Sequence, residues 1–83
     1  MVETLDIEQL EQVVADHIRA RTFRRISHLR VKVEEDRVIV WGKTPVYYVK
    51  QLVIHAIFEV LQKLRITQGV DIRIEVEAQK ARG

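Results

Sequence analysis

Few of the residues that usually act as nucleophiles, acids, bases or metal ligands are spaced along this sequence as catalysis or metal binding requires. The three histidines are widely separated and lack the H-x3-H spacing of metal ligands: His17, His28 and His55. The acidic run at residues 34–36 falls on a predicted hairpin tip, where a solvated turn is favoured over a weak cation site. The single serine is in no nucleophile motif, and Gly42 is in no glycine-rich phosphate loop. The sequence therefore predicts a protein that is not an enzyme, with no catalytic residues, no metal site and no cofactor.

The size and composition of the chain predict one soluble globular domain. It has 83 residues, of which 47% are hydrophobic and 31% are charged. Cysteine is absent, which excludes disulfides and thiol chemistry. No apolar run approaches the ~20 residues of a membrane-spanning helix. The acidic segment 1–6 does not have the features of a signal peptide, so we expect a cytoplasmic protein, or a periplasmic or envelope protein if a leader was removed.

The charged residues are segregated along the first third of the chain. All those between residues 3 and 16 are acidic, and all those between residues 19 and 32 are basic, although the net charge is only +2. This order suits the dipole of a first helix, whose acidic start and basic end are both stabilising. The alternative is an anion-binding patch on the connector that follows, at Arg21, Arg24 and Arg25. In the same connector, Phe23 and Ile26 are predicted to close the edge of the core.

The first half of the chain predicts a helix followed by a hairpin. Asp6 is a good N-cap, Gln9 completes a capping box, and apolar residues recur at helical spacing over residues 7–20. Polar and apolar residues alternate strictly over residues 28–34, which predicts a strand with one buried face. A turn at Glu35-Asp36 leads to a second strand over residues 37–43, which is apolar on both faces and ends at Gly42.

The second half of the chain predicts a long helix and a third strand. Thr44 is expected to cap this helix, and Pro45 to occupy its first position, where a missing N–H costs nothing. An apolar stripe at i, i+3 and i+4 then continues to residue 64. Gly69 precedes a third strand over residues 70–77, and residues 78–83 form a polar tail. The domain core is therefore placed at residues 7–77 of a single domain spanning residues 1–83.

This order predicts an α+β fold with α-β-β-α-β topology. One hairpin and one helical crossover give a three-stranded mixed sheet with both helices on one face. The other sheet face is then open, and the alternation assigns to it a mixture of bases, apolar residues and one acid: Arg30, Lys32, Ile39, Trp41, Arg73 and Glu75. For Trp41, packing against the connector or the tail competes with exposure as an anchor for a partner.

The pattern resembles a BON domain, a small module found mostly in bacteria. The similarity rests on the element order, on Val38-x-Val40-x-Gly42 at the end of the second strand, on the helix that follows, and on Gly69-Val70 before the last strand. The resemblance implies a non-enzymatic module that attaches to phospholipid membranes or other envelope components. Many members are exported or carry two copies, whereas this chain has one copy. Its helix start, Pro45-Val46-Tyr47-Tyr48, is also bulkier than the family pattern.

Three functions are consistent with the sequence. The first is a binding module whose open sheet face and basic connector contact an anionic membrane surface or an acidic protein. The alternative is a protein–protein or self-association module, such as a homodimer formed face to face or edge to edge. Nucleic-acid binding is the lesser alternative, because the open face offers a single aromatic residue, Trp41, and the chain has no G-x-x-G loop.

Overall fold

A computed structural model of the protein describes residues 6–77, and within them the predicted α+β fold is confirmed. Its elements follow the order α-β-β-α-β, with two helices and one three-stranded mixed sheet: α1 (Ile7–Arg21), β1 (Ser27–Val33), β2 (Arg37–Thr44), α2 (Tyr47–Lys63) and β3 (Gly69–Val76). Each element lies within a few residues of its predicted bounds. The predicted polar tail at 78–83 lies outside the described residues.

Helix α1 begins where its local sequence predicts. The Asp6 carboxylate accepts a hydrogen bond from the Gln9 backbone N–H at 2.9 Å, and the Gln9 side chain accepts one from the Asp6 N–H at 3.3 Å. This reciprocal capping box satisfies two N–H groups that the first helical turn leaves without partners, and such caps typically contribute about 1 kcal/mol. On the inner face of the helix, Val14 and Ile18 are completely buried.

Strand β2 is the centre of the sheet, with β1 antiparallel on one side and β3 parallel on the other. Because successive side chains of a strand point to opposite faces of the sheet, Val38 and Val40 both lie on the inner face, where they pack with residues of both helices. Both helices therefore cover one face of the sheet, and the opposite face is left open. The hairpin is closed by a hydrogen bond from the Glu34 N–H to the Arg37 carbonyl at 2.8 Å, which confirms the turn at residues 35 and 36.

The two glycines singled out in the sequence have different surroundings. A β-carbon at Gly42 would stand 2.8 Å from the Cδ1 atom of Ile26, so this glycine lets the connector approach β2 closely. Ile26 is partly buried against the core, as predicted. A β-carbon at Gly69 would meet nothing within 4 Å. The packing therefore gives a reason for glycine at position 42 and none at position 69.

The predicted start of α2 is wrong by two residues. The N-cap is Val46 and makes no side-chain capping bond, and the helix begins at Tyr47. Thr44 instead ends β2, paired with Val76, and its buried hydroxyl donates to the Glu75 carbonyl oxygen at 3.4 Å. Because the strand pairing occupies Thr44, Pro45 lies between the two elements and not at the first helical position.

Candidate interaction surfaces

The open sheet face carries the residues that alternation assigned to it, arranged in rows across the three strands. In one row, Trp41 lies between Arg30 of β1 and Arg73 of β3. The guanidinium carbons of these arginines are 5.3 Å and 5.9 Å from the centre of the indole ring, within cation–π range. Trp41 is only partly exposed. Its position explains why a large aromatic residue is accommodated on a face made mostly of charged side chains.

Ile39, in the next row, is buried, so the expectation that it is exposed on the open face is wrong. Ile39 lies between Lys32 and Asp71 and follows the same face of β2 as Trp41. Only 5% of its surface is accessible. A residue of the central strand has side-chain neighbours on both flanks, and longer polar chains shield it from solvent. The open face therefore presents no apolar pair of Ile39 and Trp41.

The bases of the open face are balanced by acids that lie beside them. Asp71 accepts two hydrogen bonds from Arg73, at 3.1 Å from Nε and 2.8 Å from Nη2, and lies 3.8 Å from Arg37. The hydrogen bonds from Arg73 hold the pKa of Asp71 below its usual value, against a smaller opposing effect of partial burial. Glu34 pairs with Arg37 at 3.4 Å and with Lys32 at 3.9 Å. This face is a network of alternating charges, and not a positive patch.

The basic connector is smaller than predicted, because Arg21 belongs to α1 and is neutralised. Its Nε atom lies 3.1 Å from Oε1 of Glu59 on α2, and its Nη2 atom donates to Oε2 at 3.2 Å. His17 lies 3.1 Å from the same Oε1 atom. The hydrogen bond with His17 lowers the pKa of Glu59 most, assisted by the charges of Arg21, His17 and Lys63 and opposed by partial burial. The cluster joins the two helices and removes Arg21 from any anion-binding patch.

The remaining connector folds into a tight loop that turns its side chains outward. The Arg24 N–H donates to the Arg19 carbonyl at 2.9 Å, and the Arg25 N–H donates to the Thr22 carbonyl at 3.0 Å. Phe23 and Arg24 are both in the left-handed region, with φ values of 55° and 60°. Phe23 is 79% exposed, so the prediction that it closes the core edge is wrong. Local hydrogen bonds within the loop determine its direction more than the apolarity of Phe23 does.

The charges of Arg24 and Arg25 remain available to a ligand. Both residues are exposed, and within residues 6–77 neither guanidinium has a hydrogen-bond or ion-pair partner. Both follow Phe23 directly, so an exposed aromatic ring and two cations are contiguous in the chain. Sequence reasoning missed the exposure of Phe23, although the lack of apolar periodicity around it was a signal.

Further exposed apolar residues lie at the same end of the molecule. The connector leads into Ser27, which is opposite Lys43, and β2 then ends at Thr44 just before α2. The first residues of α2 and its cap are exposed and apolar or aromatic: Val46 at 41%, Tyr47 at 54% and Tyr48 at 64%. Phe23, Arg24 and Arg25 form what we call the connector surface, while Val46, Tyr47 and Tyr48 lie at the same end of the sheet on a different element.

Comparisons with protein-family models, with curated proteins and with solved structures found no match to this chain. The resemblance to BON domains therefore stays a prediction from the sequence. Over residues 6–77, no helix is long and apolar enough to cross a membrane. The same residues contain no group of three or more His, Asp or Glu side chains placed to hold a metal ion.

Proposed function

We propose that this protein is a non-catalytic binding module that attaches reversibly to an anionic phospholipid surface through its connector surface. The observation that carries the proposal is the exposure of Phe23, at 79%, beside two arginines that have no ion-pair partner within residues 6–77. An aromatic ring with adjacent bases suits the headgroup region of an anionic bilayer, and exposure leaves this ring available to it.

The charges and the ring of the connector surface predict a weak and salt-sensitive attachment. A basic residue near an anionic membrane contributes about 1 kcal/mol, so Arg24 and Arg25 together contribute about 2 kcal/mol. Phe23 adds an interfacial aromatic contact, since an aromatic ring suits the boundary between water and the bilayer. Electrostatic attraction of this size is screened over about 10 Å at 0.1 M salt. Binding is therefore expected at low salt and release at high salt.

The open sheet face supports membrane contact less well than the connector surface. Lys32, Arg37 and Arg73 are each within 4 Å of an acid on the same face. Bringing that network against a bilayer would also bring its carboxylates to an anionic surface. Nucleic-acid stacking on Trp41 is disfavoured too, because two guanidinium groups lie over its ring.

Vesicle co-sedimentation tests the proposal directly. The protein is mixed with vesicles of phosphatidylcholine alone or of phosphatidylcholine with phosphatidylglycerol, at low and at high salt. We expect pelleting only with the anionic vesicles and only at low salt. Equal binding to both vesicle types, no binding to either, or binding that is indifferent to salt would contradict the proposal.

The fluorescence of Trp41, the only tryptophan, identifies which surface makes the contact. Trp41 lies on the open face, so attachment through the connector surface should leave its emission unchanged while the protein pellets. A blue shift on adding anionic vesicles would place the sheet face at the membrane. An acidic polypeptide such as polyglutamate, added in place of vesicles, tests the alternative of an acidic protein partner, and tight binding to it would favour that alternative.

A further inference from the structure

The two edges of the sheet are protected to very different degrees. At the β1 edge, the Glu11 carboxylate of α1 accepts a hydrogen bond from the Val33 N–H at 2.8 Å. The same strand has an irregular register between Ser27 and Arg30, and His28 has a φ of 55°. A side-chain cap and a bulge are common ways of preventing a strand edge from pairing with another chain.

The β3 edge has neither of these protections among residues 6–77. Strand β3 has eight residues and pairs in unbroken register with β2 alone. It contains no proline. The Glu75 carbonyl faces β2, where it accepts a hydrogen bond from the Thr44 hydroxyl. Because successive residues of a strand direct their N–H and C=O groups to opposite sides, those of Ile72 and Ile74 face outward, away from β2. An edge of this length and regularity is suited to pair with another strand.

An apolar stripe of α2 flanks this edge. Tyr47, Ile54 and Phe58 follow one another at spacings of seven and four residues, so they lie along one line of the helix. Tyr47 and Phe58 are 54% and 55% exposed, and Ile54 is partly exposed. This line is about a third of a turn from Glu59, which contacts α1. The stripe is also about a third of a turn from Val53, which is buried on the side of α2 that faces the sheet. Being well removed from both directions, the stripe lies on the flank of α2 that faces away from α1.

Charge complementarity indicates that the occupant of this edge is a second copy of the chain. If two β3 strands pair antiparallel with Ile72 opposite Ile72, Asp71 of each copy lies opposite Arg73 of the other. On the inner face, Val70 of each copy then lies opposite Ile74 of the other. A register shifted to place Arg73 opposite Arg73 instead sets Asp71 against Glu75, which is repulsive. Pairing Ile74 with Ile74 would set Arg73 against Glu75 but also Asp71 against Glu77, so the register centred on Ile72 is favoured by charge on the outer face and is apolar on the inner face.

We propose that two copies of this protein associate through antiparallel pairing of their β3 strands, with the α2 stripes packed across the two-fold axis. The two three-stranded sheets become one continuous sheet, and the outward backbone groups of β3 gain partners. Tyr47, Ile54 and Phe58 are covered by the same residues of the second copy. Phe23, Arg24 and Arg25 lie on the connector after α1 and outside this interface, so they stay free to bind a membrane.

Charge reversal with rescue tests both the dimer and its register. Asp71→Arg and Arg73→Glu each place like charges opposite one another in a dimer of identical variants. We expect each to weaken association about 30-fold, through two cross-strand pairs that change from attraction to repulsion. An equimolar mixture of the two variants restores opposite charges at both pairs, so a heterodimer should form. The masses are measured by sedimentation equilibrium of the full chain over a range of concentrations.

Two further variants separate this interface from the connector surface. Phe58→Gln removes the exposed ring of the stripe and should yield a monomer, whereas Phe23→Asn should leave the dimer intact. Far-ultraviolet circular dichroism and a thermal melt establish that each variant is folded, as expected for exposed positions. A wild-type chain that stays monomeric at every concentration would overturn the proposal. So would a dimer that persists in both charge variants, or a mixture that fails to associate.

Discussion

Neutralising Arg24 and Arg25 together is the sharpest test of membrane attachment. Arg24 has a φ of 60°, so it is replaced by Asn, which tolerates this conformation, and Arg25 is replaced by Gln. Neither guanidinium has a hydrogen-bond or ion-pair partner within residues 6–77, so the double variant should lose no such bond among these residues. Its free energy of unfolding should change by less than about 0.5 kcal/mol.

The expected loss of binding follows from the two charges. At about 1 kcal/mol for each base, the double variant loses about 2 kcal/mol of attraction, or about 30-fold in apparent affinity at low salt. At high salt the difference between variant and wild type should shrink, because screening already removes most of this attraction. The assay is a titration with phosphatidylglycerol-containing vesicles, with the bound fraction measured after sedimentation.

A matched control separates the position of the charges from their number. Lys63 ends α2 and Arg65 follows it, at the opposite end of the sheet from the connector. Arg65 has a φ of 58°, so Lys63→Gln with Arg65→Asn makes the same charge change with the same backbone constraint. We expect this control to bind within a few-fold of wild type. An equal loss in both double variants would mean that net charge alone governs attachment, and no loss in the first would refute the connector surface.

Three further predictions concern single side chains. Phe23→Asn should lower vesicle binding in the same assay while leaving the thermal melt nearly unchanged, because the ring is 79% exposed. Gly42→Ala should destabilise the fold by no more than about 1 kcal/mol in urea titrations, since its new β-carbon meets Ile26 Cδ1 at 2.8 Å but that atom ends a flexible, partly buried side chain that can turn away, and Ile26→Val should recover part of the loss. Glu59 has a lowered pKa, so the unfolded chain binds its proton more readily and stability should fall as pH drops below about 4.5. Glu59→Gln should flatten that part of the profile of unfolding free energy against pH, and an unchanged slope would contradict the role given to the contact with His17.

Local features of the sequence were sufficient to predict most of the secondary structure. The capping box of Asp6 and Gln9 acts over three residues, and the hairpin at residues 35 and 36 joins strands that are adjacent in the chain. The prediction failed at Thr44, where a good capping residue precedes a proline and a helical stripe. The preference of Thr44 for the end of β2 depends on Val76 and Glu75, which are about thirty residues away. Pairing with a distant strand overrode a local helix signal there.

The candidate surfaces were less predictable than the elements that carry them. Alternation correctly grouped Arg30, Trp41 and Arg73 in one row of the sheet. It did not show that acids would neutralise most bases of that face, or that Ile39 would be shielded by its neighbours. Nor did it show that Phe23 would be exposed, because the direction of a loop side chain follows from backbone hydrogen bonds and not from periodicity.

The sequence by itself determined the order of the elements, the inner and outer faces of each strand and the cap of α1, because periodicity and capping operate within a few residues. Only the tertiary structure decided which charges remain available. Arg21 is neutralised by Glu59, which lies 38 positions further along the chain, whereas Arg24 and Arg25 are not paired within residues 6–77. The tertiary structure also decided that the β1 edge is capped by Glu11 while the β3 edge borders an apolar stripe. Ion pairs and edge protection depend on residues that only folding brings together, so the sequence indicated a basic connector and a sheet edge without showing which charges or which edge remain available.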